Sequence, residues 1–431
     1  MHPKNKRTFY HPYMIMKRGL LLFFSAVFCI PAFTQRKNFT YNFYGFVRAD
    51  LFYDTRNNET TVSDNFYLFP KNTVYDADGK DLNAKPSGSF YTFCTRLGLD
   101  VTGPRIWGAE TSAKIETDFG GFSSSTTMLR IRQAYINLAW SHSSLLIGQT
   151  WHPLFGEVSP TVLNLSTGAP FQPFNRSPQL RYRYNHTYFT ATASAIYQLI
   201  YQSTGPKGKN AEYLKNGMIP ELFAGIDFHK NKFLAGVGVE MISLKPRTEA
   251  TVTQIVEGEG VSKTFKVNER ITTTSFVAQI KYTESKYRLA AKTVYGKNLC
   301  HLSVPGGYGV TSEDPTNGSR KYTPYRTSST WVNAVYGTKY QVGIYGGYAK
   351  NLGTSQSLAN VDNGRYGSAL DVDQMVCGAA HFAYVLPHWK AGIELNCTTA
   401  YYGDINMSTG RVGNTHAVTN LRILGLAIYY F

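Results

Sequence analysis

Beyond its first 34 residues the chain has no apolar run approaching the roughly 18 residues that a membrane-crossing helix needs. Its mean hydropathy is −0.26. Both argue against a helical membrane protein but not against a transmembrane barrel, because only alternate residues of a barrel strand meet lipid. Charge is sparse as well. Charged residues are 17% of 431 positions, and acids are the scarcer sign, 28 Asp and Glu against 44 Lys and Arg. The cation excess is not gathered into a basic cluster on any expected helix, which argues against nucleic acid as a partner. Cysteine is rare, five residues without a CxxC pair, so no disulfide framework is expected. Ten histidines show neither HExxH nor another metal-binding spacing. "GPKGKN" is too short for a phosphate loop and lacks its Ser or Thr, so no cofactor is expected. The acidic pieces "DADGKD" and "SEDPTNGS" read as solvated loop ahead of the alternative, a calcium site.

What the chain has in abundance is aromatic residues, 31 Tyr and 26 Phe among them. Tyr suits positions where one end of a side chain lies in hydrocarbon and the other in water. The single long apolar run is "GLLLFFSAVFCI", Gly19 to Ile30. Lys17 and Arg18 precede it and "PAFTQ" follows, the order of a secretory signal peptide. Cleavage after Thr34, with Ala32 at the minus-three position, makes residues 1–34 the signal and 35–431 one mature domain beginning at Gln35. "MKRGLLLFF" is already a complete signal from Met16. The leader holds five basic residues and no acid, so the net charge of +16 falls by five to +11 on cleavage.

From about Asn38 onward, period-two alternation recurs. In "GFVRADLFYD", Val47, Ala49, Leu51 and Tyr53 alternate with Arg48, Asp50 and Asp54. In "TRLGLDV", Leu97, Leu99 and Val101 alternate with Arg96 and Asp100. "HWKAGIELNC" sets Trp389, Ala391, Ile393 and Leu395 against Lys390, Glu394 and Asn396. About sixteen such strands are expected, centred near 48, 96, 113, 134, 147, 182, 193, 225, 238, 278, 292, 332, 345, 379, 394 and 424. Short connections ("TGPRIW", "SHSS", "NHT", "HKNK", "ESK", "GTK", "PH") alternate with long polar ones (57–88, 202–219, 247–270, 298–325, 351–372). The pattern predicts an all-β fold, a transmembrane antiparallel barrel with short periplasmic turns and long external loops. The chain ends "NLRILGLAIYYF", an apolar strand that closure of a barrel would pair with the first. Phe431, Tyr429, Ala427, Gly425, Ile423 and Leu421 share its lipid face. A terminal Phe on such a strand is also the signal expected for the outer-membrane assembly machinery.

The third long connection differs from the rest. Within "GQTWHPLFGEVSPTVLNLSTGAPFQPFNRSPQLRYRY", Gly148 to Tyr184, Leu154, Phe155, Val158, Leu163, Leu165, Phe171 and Phe174 ill suit an aqueous loop. Folded into the barrel, they would pack on the inner wall and narrow it. This segment, with "GLDVTGP" (Gly98 to Pro104) and "LRIRQAYINLAW" (Leu129 to Trp140), resembles the DcaP-like outer-membrane porins of Gram-negative bacteria. The resemblance spans about Tyr44 to Tyr184. It implies a trimeric sixteen-stranded barrel that passes small organic anions such as dicarboxylates. The chain departs from that pattern in having no helical extension between signal and first strand.

Phasing turns Arg48, Arg96, Lys114, Arg130, Arg132, Arg181, Arg183, Arg288 and Lys292 to the lumen. A charge on the lipid face costs about 2–4 kcal/mol at mid-membrane, which alone would place them there. Rings of Arg or Lys at a constriction also favour anions, and a guanidinium grips a carboxylate through two hydrogen bonds. Arg130, Arg132, Arg181 and Arg183 are the foremost candidates to touch solute. Glu157, Asn175 and Arg176 on the third loop are further eyelet candidates, and Asp50, Asp100, Glu110, Glu116 and Asp118 are acidic wall partners. The expected function is an outer-membrane diffusion channel for small hydrophilic solutes, preferring organic anions, seated among lipid and lipopolysaccharide as a homotrimer. The alternatives are a barrel enzyme of lipase or protease type, for which no Ser/His or Asp/His motif is found, and an adhesin or structural barrel.

Overall fold

The computed structural model describes residues 39–121, 128–256 and 259–431. The expected signal peptide, residues 1–34, lies outside the described residues. The body of the structure is Tyr41–Phe431, and nearly all of its regular structure is antiparallel sheet.

Sixteen strands form the wall. The first four are β1 (Thr40–Asp54), β2 in two segments (Ser87–Tyr91 and Arg96–Ile106), β3 (Ala109–Asp118) and β4 (Arg130–Ala139). There follow β5 (Ser143–Trp151), β6 (Arg176–Asn185), β7 (Phe189–Ile196) and β8 (Glu221–Lys230). Next are β9 (Phe233–Leu244), β10 (Ile271–Thr283), β11 (Tyr287–Lys297) and β12 (Arg326–Tyr336). The wall ends with β13 (Tyr340–Asn351), β14 (Val372–Val385), β15 (Trp389–Ile405) and β16 (Val412–Tyr430). Each strand pairs with its sequence neighbours, and β16 pairs with β1 from Phe46↔Tyr430 to Asp54↔Arg422, closing the barrel. Every strand centre expected from the alternation falls inside one of these strands.

The connections sort by side as the sequence predicts. One rim has short turns such as 107–108, 231–232 and 386–388, and the other carries long loops such as 55–86, 152–175 and 298–325. The last loop-side connection, 406–411, is short because β15 and β16 run on for 17 and 19 residues. The outward face is apolar: Val47, Leu51, Leu97, Ile115, Ile131, Leu180, Val237, Ile344 and Ile393 are all exposed. Aromatic residues ring the short-turn rim, with Tyr287 beside Tyr336, Tyr340 beside Tyr384 and Trp389 beside Tyr429 at centroid separations of 4.9–5.2 Å. Such a band belongs at a lipid–water interface.

The third loop is bonded to the inward side chains of β10 to β13 and β15. The Lys292 ammonium donates to the carbonyls of Leu154 and Phe155 at 3.0 and 2.6 Å. Trp331 Nε1 donates to Gln172 Oε1 at 2.7 Å, and the Tyr345 hydroxyl to the Gly168 carbonyl at 2.9 Å. Glu394 accepts from the Leu163 amide. Two wall glycines make room for the loop: a Cβ on Gly347 would meet the Phe171 ring at 2.6 Å, and one on Gly392 would meet Leu163 at 2.7 Å. Val158, Ala169, Phe171 and Phe174 thus join Trp331, Tyr345 and Met375 in one buried cluster.

The first loop differs from expectation. It reads as a polar external loop, yet Phe66, Tyr67, Leu68 and Phe69 are buried, three of them in the same cluster as the third loop. Arg422 of β16 draws this segment in by donating to the carbonyls of Asp64 and Asn65 at 2.6 and 3.4 Å. Phe66, Leu68 and Phe69 gain about 1.5–3 kcal/mol each on full burial, which outweighs the polar composition around them.

Candidate functional site

The inward faces of β1 to β4 carry an interlocked set of charges. Asp118 closes β3 and sits directly opposite Arg130, which opens β4. Arg130 Nε and Nη2 donate to the two Asp118 oxygens at 2.7 and 2.9 Å. A register shift between Glu116 and Thr117 leaves Arg132 as the unopposed residue of a β-bulge, the kind of feature that re-aims a side chain. Arg132 there reaches both acids, Glu116 Oε1 at 2.9 Å and Asp118 Oδ2 at 2.7 Å. The carbonyls freed by the bulge, of Ile131 and Arg132, accept from Gln149 at 2.9 and 3.3 Å. Arg96 on β2 stands 3.7 Å from Glu116, a looser pair, and its Nε is buried without a hydrogen bond. Arg48 on β1 grips Asp50 through Nε and Nη2 and donates from Nη2 to the Leu163 carbonyl at 2.8 Å.

Arg48, Arg96, Arg130 and Arg132 line a chamber of about 230 Å³. Its opposite side is mostly apolar: Phe66 of the first loop, and Phe155, Val162, Leu165 and Phe174 of the third, with Asn164 and Thr167 among them. Trp151, at the end of β5, stacks on Phe155 with centroids 4.0 Å apart. Behind it lies Arg176, whose guanidinium is 4.7 Å from the Trp151 ring and donates to the Tyr201 hydroxyl at 2.9 Å. Four guanidinium groups at the chamber therefore meet three carboxylates, Asp50, Glu116 and Asp118, and Arg176, behind Trp151, adds a fifth cation whose hydrogen bond goes to Tyr201. The balance is two positive charges in surplus, in surroundings largely closed to water, where charge acts more strongly than at a surface.

No family model matches the sequence, and no curated protein does. Solved structures do match. The outer membrane channel DcaP of Acinetobacter baumannii superposes over 93% of this chain and 99% of its own, with a TM-score of 0.64 at 18% identity. The fold is that of the outer-membrane porins. OmpT, an outer membrane protein of Vibrio cholerae, shares the porin barrel over 91% of this chain and 98% of its own, with a TM-score of 0.53 at 11% identity. Its trimer form gives 0.53 at 12% identity, over 91% and 100% of the two chains.

Within the porin barrel the residues singled out from sequence take different places. Arg48, Arg96, Arg130 and Arg132 converge on the chamber. Arg176 opens β6 rather than sitting within the loop, and it is buried behind the aromatic wall. Arg181 is buried lower on β6, bonded to Gln179 Oε1 at 2.7–3.0 Å and to the Trp151 carbonyl. Arg183 is partly exposed and pairs with Glu157 of the third loop at 3.3 Å. Lys114 pairs with Asp100 at 2.8 Å and donates to the Tyr44 hydroxyl at 2.9 Å. Arg288 and Lys292 were expected to line the pore; they instead hold loop backbone, Arg288 on the Ser159 carbonyl at 3.1 Å and Lys292 beneath Leu154 and Phe155. Their alternation set the face correctly, but the loop covers it. Asn175 is buried and donates to the His301 carbonyl at 3.0 Å, so it joins two loops and faces no open space.

Trp151, Tyr201 and Phe66 were not anticipated at the site. "GQTW" and "NFYLFP" mark the first and last of these as aromatic residues at strand or loop ends. Nothing local marks Tyr201.

Proposed function

We propose that the chain is an outer-membrane diffusion channel that favours small organic anions, with its narrow part at the chamber between the basic wall of β1 to β4 and the third loop. The observation that carries this is the surplus of two guanidinium charges, one of them Arg176 behind Trp151, around a chamber whose other side is mostly apolar. Carboxylate groups of a solute exchange hydration for charge-assisted hydrogen bonds, while its carbon chain lies against Phe155, Phe174 and Trp151. Arg96, the most loosely paired and the least buried of the four, is the guanidinium best placed to engage a passing carboxylate. Arg130 and Arg132 set the field while remaining tied to Asp118 and Glu116. The role is passage of solute, not catalysis. The outward apolar face and aromatic rim suit lipid, and lipopolysaccharide on the loop side. The OmpT trimer form supports a homotrimer here, and residues 1–34 act as an export signal removed before Gln35.

Planar-bilayer recording tests the reading. A reversal potential in a KCl gradient showing chloride preference, with stronger block by a dicarboxylate than by a neutral solute of equal size, is the expected result. Cation preference would falsify it.

A further inference from the structure

Where the third loop (152–175) and the sixth (298–325) meet the wall, the structure gathers four side chains that can hold or position a cation. They come from distant parts of the chain. His152 follows β5, Glu221 opens β8, Glu240 lies near the loop end of β9, and His301 sits in the 3₁₀ turn Cys300–Leu302. All four are almost wholly buried, at 0–1% exposure. Leu154, Ile196, Leu299 and Leu302 form an apolar shell in the same region. One carboxylate oxygen each of Glu221 and Glu240 and one ring nitrogen of His301 lie within 4.8 Å of one another.

The electrostatics of this cluster are unbalanced. Two carboxylates are sealed together; His152 and His301 reach Glu221 Oε1 at 2.6 and 3.3 Å, and none of the ion pairs among the described residues brings Lys or Arg to either acid. Neither oxygen of Glu240 makes a well-formed hydrogen bond, with only the Ser275 hydroxyl alongside, and Glu221 Oε2 and His301 Nδ1 are also unbonded. Burying an unpaired carboxylate costs several kcal/mol, so such groups are paired, protonated or metal-bound. His152 is already oriented for service to a metal site. Its Nδ1 accepts from the Leu154 amide at 3.1 Å, which leaves the proton on Nε2, and Nε2 donates to Glu221 Oε1 at 2.6 Å. A histidine holding a ligating carboxylate in this way is a characteristic outer partner of bound metals.

We propose that Glu221, Glu240 and His301 bind one divalent transition-metal ion of the Zn²⁺ class, with His152 as a positioning residue acting through Glu221. One imidazole and two carboxylates suit Zn²⁺ and its neighbours better than Ca²⁺ or Mg²⁺, which take oxygen donors alone. The ion neutralises the two buried acids. It also fastens the sixth loop to β8 and β9 at the point where the third loop leaves the wall. That junction is already drawn together by the Phe174 amide on the Leu302 carbonyl at 2.7 Å. The ion would therefore stiffen the root of the loop that narrows the barrel. This goes beyond permeation, and it is tested without recording any current.

The test uses the full mature chain folded in detergent. Metal is measured by mass spectrometry as purified, then stripped with a chelator and restored with Zn²⁺ or Co²⁺ alone. The expected result is about one Zn²⁺ or Co²⁺ per chain, with visible Co²⁺ bands. Glu240→Gln keeps the shape of the side chain and removes its charge, so it should fold, shown by an unchanged heat-dependent gel shift, and lose the ion. His301→Gln should do the same. His152→Gln should retain the Co²⁺ bands but bind about 10–100-fold more weakly, as expected for an outer partner. Failure of the stripped wild-type protein to take up either ion overturns the proposal and leaves a shared proton between the two glutamates. Uptake unaffected by both Glu240→Gln and His301→Gln overturns it as well.

Discussion

Arg130 and Asp118 stand directly opposite each other in the β3–β4 register and are joined by two hydrogen bonds, of 2.7 and 2.9 Å. The same carboxylate also receives Arg132 at 2.7 Å. One acid thus holds two guanidinium groups at the wall, and the field they cast into the chamber is the difference between close opposite charges. Selectivity is expected to be sensitive to either partner.

Replacing Arg130 and Arg132 together by Ser moves the local balance two charges toward acid and leaves Asp118 and Glu116 exposed to the chamber. The reversal potential in a KCl gradient should move toward potassium. Asp118→Asn removes one acid and should move it toward chloride. A shift in the same direction for both variants would disconnect this cluster from selectivity.

Arg96 separates charge from geometry. Arg96→Lys keeps a cation but loses the planar fork that matches a carboxylate, whereas Arg96→Ser loses both. Chloride preference should survive in the Lys variant and fall in the Ser variant. Block by a dicarboxylate should weaken in both, as read from single-channel residence times.

The third loop is pinned by Phe171 in the socket at Gly347 and by the bonds of Trp331, Tyr345 and Glu394. Phe171→Ala removes the ring and should cost about 3–5 kcal/mol of local packing. The expected outcome is a larger, noisier conductance with the barrel still folded. Unchanged conductance would show that the loop does not set the width.

Closure predicts an assembly defect. Gly45 and Phe431 exchange backbone hydrogen bonds of 3.1 and 3.2 Å, and a Cβ on Gly45 would lie 2.4 Å from the Arg96 carbonyl oxygen. Gly45→Val and deletion of Phe431 should each reduce the fraction of chain reaching the heat-modifiable folded form in outer membranes. Normal yield of both would remove this seam from the assembly pathway.

Cys94, Cys300 and Cys377 are buried and Cys397 is exposed on the outward face, all four as free thiols. In the folded protein a small apolar maleimide should modify Cys397 alone, and denaturation should release the other three. Mass spectrometry counts the adducts, and gel mobility should not depend on reductant.

The sequence by itself determined the wall. Strand number, phase and the side of each connection were legible because a bilayer imposes a local rule: every second residue meets hydrocarbon, and each strand must pair with its neighbour. Leu97 against Arg96, or Ile131 against Arg130 and Arg132, shows the rule within two residues. The terminal "LAIYYF" was readable for the same reason.

What fills the barrel was decided only by tertiary structure. The bulge that sets Arg132 between two acids depends on pairing across strands, and the covering of Lys292 depends on where a loop settles 138 positions away. The burial of Phe66 to Phe69 needed Arg422, more than 350 residues distant, to hold the first loop inward. His152 and His301 lie 69 and 80 positions from Glu221. Side chains facing the lumen meet whatever loops fold across it, so their partners are fixed by contacts between remote segments and leave no trace in local spacing.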